Sequence, residues 1–126
     1  FDSSYMENQG NGKFKLIPLP NETQFSPIYG ILLEDLNNDG NEDIVMGGNF
    51  FGTRVKFGRY DANKGIVLFG DGKGNFKPST VTESGLNIDG EIRDITKISM
   101  ADKTEVVLFV RNNDAIAMYK IESTKK

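Results

Sequence analysis

The stretch Ile31-Leu32-Leu33-Glu34-Asp35-Leu36-Asn37-Asn38-Asp39-Gly40-Asn41-Glu42-Asp43-Ile44-Val45-Met46-Gly47-Gly48 sets a polar loop between two short apolar runs. Asp35, Asn37, Asp39, Asn41 and Asp43 put an oxygen-bearing side chain at every second position, and Gly40 follows the third of them. Carboxylates and amides packed this densely repel one another unless positive charge sits among them. A hard cation held by oxygens supplies it, and calcium tolerates the crowded, irregular coordination such a loop offers. The alternative is a metal-free hairpin in which Asn, Asp and Gly serve turn chemistry alone.

The first six positions also fit the start of an EF-hand loop, D-x-[DN]-x-[DN]-G. An EF-hand needs a bidentate Glu at its twelfth position, and that position is Met46. It also needs flanking helices, whereas Ile31-Leu32-Leu33 and Ile44-Val45-Met46-Gly47-Gly48 are short runs rich in β-branched residues and closed by glycines. The loop therefore reads as a turn between two strands, and the EF-hand reading fails.

Composition narrows the function classes. A chain of 126 residues suits one domain, and a formal net charge of −3 gives no global field to draw in nucleic acid or an anionic membrane. No apolar run approaches the roughly 20 residues of a membrane helix. Cysteine is absent, which excludes disulfides, thiolate catalysis and zinc–thiolate sites. Histidine is absent too, and with it the usual general base and the commonest transition-metal ligand. The chain reads as a non-enzyme. It begins at Phe1, which fits a processed leader or a piece of something longer.

The chain repeats itself. Gly10-Asn11-Gly12-Lys13-Phe14 returns sixty-two residues later as Gly72-Lys73-Gly74-Asn75-Phe76. At the same offset Leu33 meets Ile95, Leu36 meets Ile98, and Asp43-Ile44-Val45-Met46 meets Glu105-Val106-Val107-Leu108. The offset then falls to fifty, with Ile66-Val67-Leu68-Phe69 against Ile116-Ala117-Met118-Tyr119, so the first copy carries about twelve extra residues between Gly48 and Gly65. Tyr5-Met6-Glu7-Asn8 matches Val67-Leu68-Phe69-Gly70, so the chain opens in the third strand of a unit. Strands are expected near 4–8, 14–19, 29–34, 43–48, 65–70, 76–82, 91–97, 105–111 and 115–121, with no helix. Four strands per unit of fifty to sixty residues predict an all-β partial β-propeller of antiparallel four-stranded blades. Residues 1–20 are expected to close a preceding blade, 21–82 to form the blade with the intact loop, and 83–126 a blade with a degenerate one.

The loop 35–45, taken with Phe69-Gly70-Asp71-Gly72-Lys73-Gly74-Asn75-Phe76, resembles the FG-GAP/VCBS repeat family, whose repeats form blades in integrin-α-like propellers. Gly47-Gly48-Asn49 through Gly58-Arg59-Tyr60-Asp61-Ala62, with Arg111-Asn112-Asn113-Asp114, resembles the C-terminal region of long Bacteroidetes-type proteins related to the cartilage-acidic-protein group. The resemblance implies a calcium-stabilised, non-catalytic binding platform in a secreted, periplasmic or cell-surface protein. It also implies a ligand set of Asp35, Asn37, Asp39, the Asn41 carbonyl and Asp43. In the second copy Lys97, Ser99, Ala101 and Lys103 replace the first four and Glu105 the last, so one Ca2+ is expected and not two.

Three further stretches invite chemistry. Gly70-Asp71-Gly72-Lys73-Gly74-Asn75 lacks the Gly-Lys-Ser/Thr ending and the following helix of a phosphate loop, and reads as a hairpin turn with Phe14 and Phe76 as packing residues. Glu34/Asp35 and Glu42/Asp43 are strand neighbours that point to opposite faces, so neither pair can flank a glycosidic bond. The extra segment 49–64 sets Arg54, Lys56, Arg59 and Lys64 among Phe50, Phe51, Phe57 and Tyr60. Long loops on rigid scaffolds carry partner sites, and Arg54, Phe57, Arg59 and Tyr60 are the candidates for a protein or glycan partner. An accessory domain holding a sugar on this loop is the alternative function. Open blade edges also invite self-association.

Overall fold

The β-branched and aromatic runs form strands, and the Gly/Asn/Asp clusters between them form turns, as their side chains favour. The computed structural model describes residues 2–52 and 61–122. Within them run β1 (Ser4–Gly10), β2 (Lys13–Pro18), β3 (Ile28–Glu34), β4 (Asp43–Gly48), β5 (Ile66–Gly70), β6 (Phe76–Pro78), β7 (Ile92–Ser99), β8 (Glu105–Arg111) and β9 (Ala117–Lys120). All pair antiparallel with their sequence neighbours, in sheets ordered β1-β2, β3-β4-β5-β6 and β7-β8-β9. Among the described residues these sheets do not close into a ring.

Two elements depart from the expectation of no helix: a 3₁₀ turn at Asn21–Thr23, and the segment after β6. Strand β6 stops at Pro78, and a single turn of helix, α1 (Val81–Ser84), replaces the rest of the strand expected to reach residue 82. Thr80 caps it: its hydroxyl accepts the Glu83 N–H at 3.2 Å, and the Glu83 carboxylate accepts the Thr80 N–H at 2.7 Å. This reciprocal pair satisfies two donors that a helix start leaves open, which outweighs the strand preference of Val81 and Thr82. Gly85, at φ 69°, ends the turn in the left-handed conformation that glycine adopts at least cost.

The three sheets lie in layers. Leu19, Ile44, Met46 and Leu68 form one core between the β1-β2 hairpin and the four-stranded sheet, with Tyr5 and Phe76 packed against it. Val45, Val67, Leu86, Ile92, Ile95, Val107 and Phe109 belong to a second core on the opposite face, toward β7-β8-β9. Strand β4 therefore serves both cores and is buried along its whole length. Fully burying a side chain of the size of Leu68, Ile92 or Phe109 contributes about 1.5–3 kcal/mol. The glycines of β3 and β4 allow the second interface. A Cβ on Gly30 would stand 2.7 Å from Ile95 Cγ1, and one on Gly47 would stand 2.6 Å from Ile92 Cδ1.

The ladders confirm one part of the repeat and revise another. Asn8↔Phe14 and Met6↔Leu16 in the hairpin match Gly70↔Phe76 and Leu68↔Pro78 in β5-β6, pair for pair at an offset of sixty-two. The inner strands differ. A bulge lies between Ile28 and Gly30 in β3 and between Ile92 and Asp94 in β7. Aligning these bulges pairs Ile28↔Gly48 with Ile92↔Arg111, an offset of sixty-four in β3/β7 and sixty-three in β4/β8. Ile44↔Leu68 then corresponds to Val107↔Tyr119, so β5 maps onto β9 at fifty-one, not fifty. A one-residue slip exchanges the two faces of a strand. Only the bulge-aligned offsets make Ile44 and Val107 both face the preceding sheet.

One packing expectation also changes. Phe76 packs edge-on against Tyr5 with ring centroids 5.5 Å apart, but Phe14, its hairpin counterpart, is 58% exposed because, among the described residues, no layer lies beyond the hairpin. Met6 and Leu16 stand exposed on the same face. Tyr29, Ile31 and Leu33 of β3 are exposed too, where the hairpin fails to reach across.

Candidate functional site

The polar loop folds as a turn between β3 and β4, closed by the pair Glu34↔Asp43. Its carboxylates and amides bind its own backbone. Asp35 accepts the N–H of Asp39 on Oδ1 at 3.1 Å and that of Gly40 on Oδ2 at 2.9 Å. Asn37 Oδ1 also accepts the Asp39 N–H, and Asp39 Oδ1 accepts the Asn41 N–H at 2.8 Å. Asn37 Nδ2 donates to Asp39 Oδ2 at 3.0 Å. The Asn41 N–H, followed by the Asn37 amide, holds the Asp39 carboxyl below the usual carboxylate range. Asn38 and Gly40 take positive φ, 59° and 86°, as so tight a turn requires.

Asp43 sits apart from the other four. It is wholly buried; Oδ2 accepts the Leu36 N–H at 2.9 Å and Oδ1 accepts the Gly70 N–H at 2.9 Å. Its side chain ties the loop's start to the end of β5. Of the other four, Asp39 is exposed while Asp35, Asn37 and Asn41 are half-buried, and the Asn41 amide oxygen lies against Gly72. Their donors are all hard oxygens, and an ionised carboxylate has about four acceptor positions, of which each here uses only some. The chemistry fits a hard cation at those four residues. Among the described residues no three acidic side chains already converge as a metal cage.

The second copy of the turn is a different object. Eight residues, 35–42, separate Glu34 from Asp43, against five, 100–104, between Ser99 and Glu105. On the bulge-aligned offsets Lys97 answers to Leu33 and Glu105 to Glu42, not to Asp35 and Asp43, so neither replaces a loop ligand. Lys97 Nζ reaches Glu34 at 2.7 Å and Glu105 at 3.5 Å, linking the two larger sheets. Glu34, then Glu105, raises its pKa.

Arg54, Phe57, Arg59 and Tyr60 lie outside the described residues. The base of their segment is described, and it holds a polar network that composition did not reveal. Asn49, 1% exposed, donates from Nδ2 to the Asn63 carbonyl at 2.6 Å and the Gly90 carbonyl at 2.9 Å, while its Oδ1 accepts the Asn63 N–H at 2.9 Å. Glu91 accepts from Phe51 N–H at 2.8 Å, Arg93 at 2.8 Å and Asn112 Nδ2 at 2.8 Å. Arg93 also donates to the Asn49 carbonyl at 3.0 Å and stacks over the Tyr29 ring at 4.5 Å. Nothing local in the sequence marks Asn49 or Glu91 for this role. Their partners lie 14 and 41, or 21 and 40, residues away.

No family model matches this chain, and comparison with curated proteins and with solved structures finds no match.

Proposed function

We propose that the chain is a non-catalytic, calcium-binding repeat module of β-propeller type, acting as a structural and binding platform in an exported or surface protein. The observation that carries this reading is the loop at β3-β4. Asp35, Asn37 and Asp39 turn their oxygens onto the N–H groups of Asp39, Gly40 and Asn41, in a turn that Asp43 anchors from within. A turn that spends three polar side chains on organising itself is preorganised, so a cation meets a small ordering cost. Asp35, Asn37, Asp39 and the Asn41 carbonyl would hold the ion, and Asp43 would fix the frame. The layered sheets support the propeller part of the reading, because each sheet buries a face only against its neighbour.

Calcium here would lock one turn. Extracellular calcium modules bind at about 10⁻⁴–10⁻³ M, and at ten times the dissociation constant linkage adds about 1.4 kcal/mol to stability. Isothermal calorimetry with calcium, alongside thermal unfolding with and without the ion, tests the reading. We expect one saturable site that Asp39→Ala removes, together with its rise in Tm. A native protein that gives no heat and no shift up to ten millimolar calcium would sink the metal assignment.

A further inference from the structure

The two larger sheets differ by one strand. In the sheet β3-β4-β5-β6, strand β6 covers the outer edge of β5; in β7-β8-β9, strand β9 has a partner on one side only among the described residues. The bulge-aligned register states what belongs there. Val67, whose carbonyl accepts the Ser79 N–H at 2.8 Å, corresponds to Met118, and Gly70, paired with Phe76, corresponds to Ile121. The Ile121 N–H is spent on Glu105 at 3.0 Å, so by antiparallel alternation Met118 and Lys120 direct their backbone groups to the open side.

A cavity of about 170 Å³ adjoins this edge. Val67, Leu86, Val107, Phe109, Tyr119 and Ile121 form its apolar wall, between the two larger sheets. Phe76 pairs with Gly70 and faces the hairpin, where it packs against Tyr5. By the same register, a residue opposite Ile121 on an added strand points toward β4 and β5. That is into the cavity.

We propose that the open edge of β9 and this cavity bind an extended strand of another polypeptide, which seats an aromatic side chain opposite Ile121. Main-chain bonds to Met118 and Lys120 supply affinity, and the cavity selects the aromatic residue, as in other strand-addition complexes. The sheet beside it shows the chemistry of the occupant: Phe76-Lys77-Pro78, with its aromatic ring between layers. The site follows from the strand register and not from the metal reading, although Leu36 and Asn37 of the loop also line the cavity.

The probe is a synthetic peptide with the sequence of residues 73–80, titrated into the full chain and followed by amide chemical shifts. We expect saturable changes at residues 118–121 with calcium chelated throughout, so that the result does not depend on the metal reading. The same peptide carrying Phe76→Ala should bind at least about tenfold more weakly, the loss expected when a seated aromatic is truncated. Met118→Pro in the protein should abolish binding with the far-ultraviolet spectrum retained, because it removes an outward N–H and no ladder bond. No saturation at millimolar peptide, or equal binding of the two peptides, overturns the proposal. So does protection of the Met118 amide from exchange in the isolated monomer, which would mean that the edge is already filled. Concentration-dependent dimerisation abolished by Met118→Pro would make the occupant a second copy, and would also overturn it.

Discussion

Asn49 and Asn63 bond each other reciprocally, amide to carbonyl at 2.6 Å and N–H to amide oxygen at 2.9 Å, across the mouth of the segment between β4 and β5. Both are buried. Removing the Asn49 side chain leaves the Asn63 N–H and carbonyl and the Gly90 carbonyl unpaired, and each such group costs about 1–3 kcal/mol. Asn49 also holds φ 84°, which asparagine tolerates better than alanine. Asn49→Ala should lower stability by about 2–4 kcal/mol, read from the urea midpoint at unchanged slope.

Asp43 should prove indispensable to the fold whether or not the loop binds metal. Its two oxygens each accept a backbone N–H from a different segment, Leu36 and Gly70. Asparagine can keep only one of these, since its amide nitrogen would face the other donor. Asp43→Asn should therefore cost about 1–3 kcal/mol in chemical denaturation in the presence of chelator. Asp39→Ala, measured the same way, should be close to silent, because Asp39 is exposed. Equal losses from the two variants would show that Asp43 has no anchoring role.

The positions of the strands were legible because their cause is local: β-branched runs between turn residues read alike in sequence and structure. The hairpin repeat at Phe14 and Phe76 was legible for the same reason. The offset of the inner strands was not. A bulge at Tyr29 or Arg93 adds one residue without a compositional mark, and that one residue decides which face meets the core. Asp43 shared the spacing of the loop oxygens, yet it opens a strand buried on both faces, and so its carboxylate turned inward. Gly47-Gly48 was legible as helix-breaking, but its purpose lies in Ile92 and Pro27, both distant in sequence. Tertiary partners decided each of these.

Glu91 gives the fold a defined acid sensitivity. The Asn112 amide and then the Phe51 N–H hold its carboxyl below the usual range, with Arg93 adding to them against the opposing effect of burial. A carboxyl with a lower pKa folded than unfolded stabilises the fold above the unfolded value, about 4.3. That contribution drains away as pH falls through the folded value. Glu91→Gln should be less stable than the native chain at pH 7 and lose less between about pH 5 and 3, as followed by thermal unfolding across that range. Parallel pH profiles for the two proteins would contradict this.

Gly48 tests the geometry of the β3 bulge most sharply. A Cβ there would fall 1.6 Å from the Pro27 carbonyl oxygen and 3.0 Å from Ile28 Cα. These are backbone atoms, fixed by the Asn49 N–H that donates to the same Pro27 oxygen at 3.1 Å and by the pairing Ile28↔Gly48. No side-chain rotation relieves the clash, so the bulge itself must open. Gly52 is the natural control, since the nearest described atoms to a Cβ there belong to the ring of Phe50, which is able to turn aside. Gly48→Ala should cost about 2–4 kcal/mol, the range of severe overpacking, and Gly52→Ala under about 1 kcal/mol. Differential scanning calorimetry of the two variants decides it: if Gly48→Ala melts within a degree of the native protein, β3 and β4 do not meet at Pro27 as described.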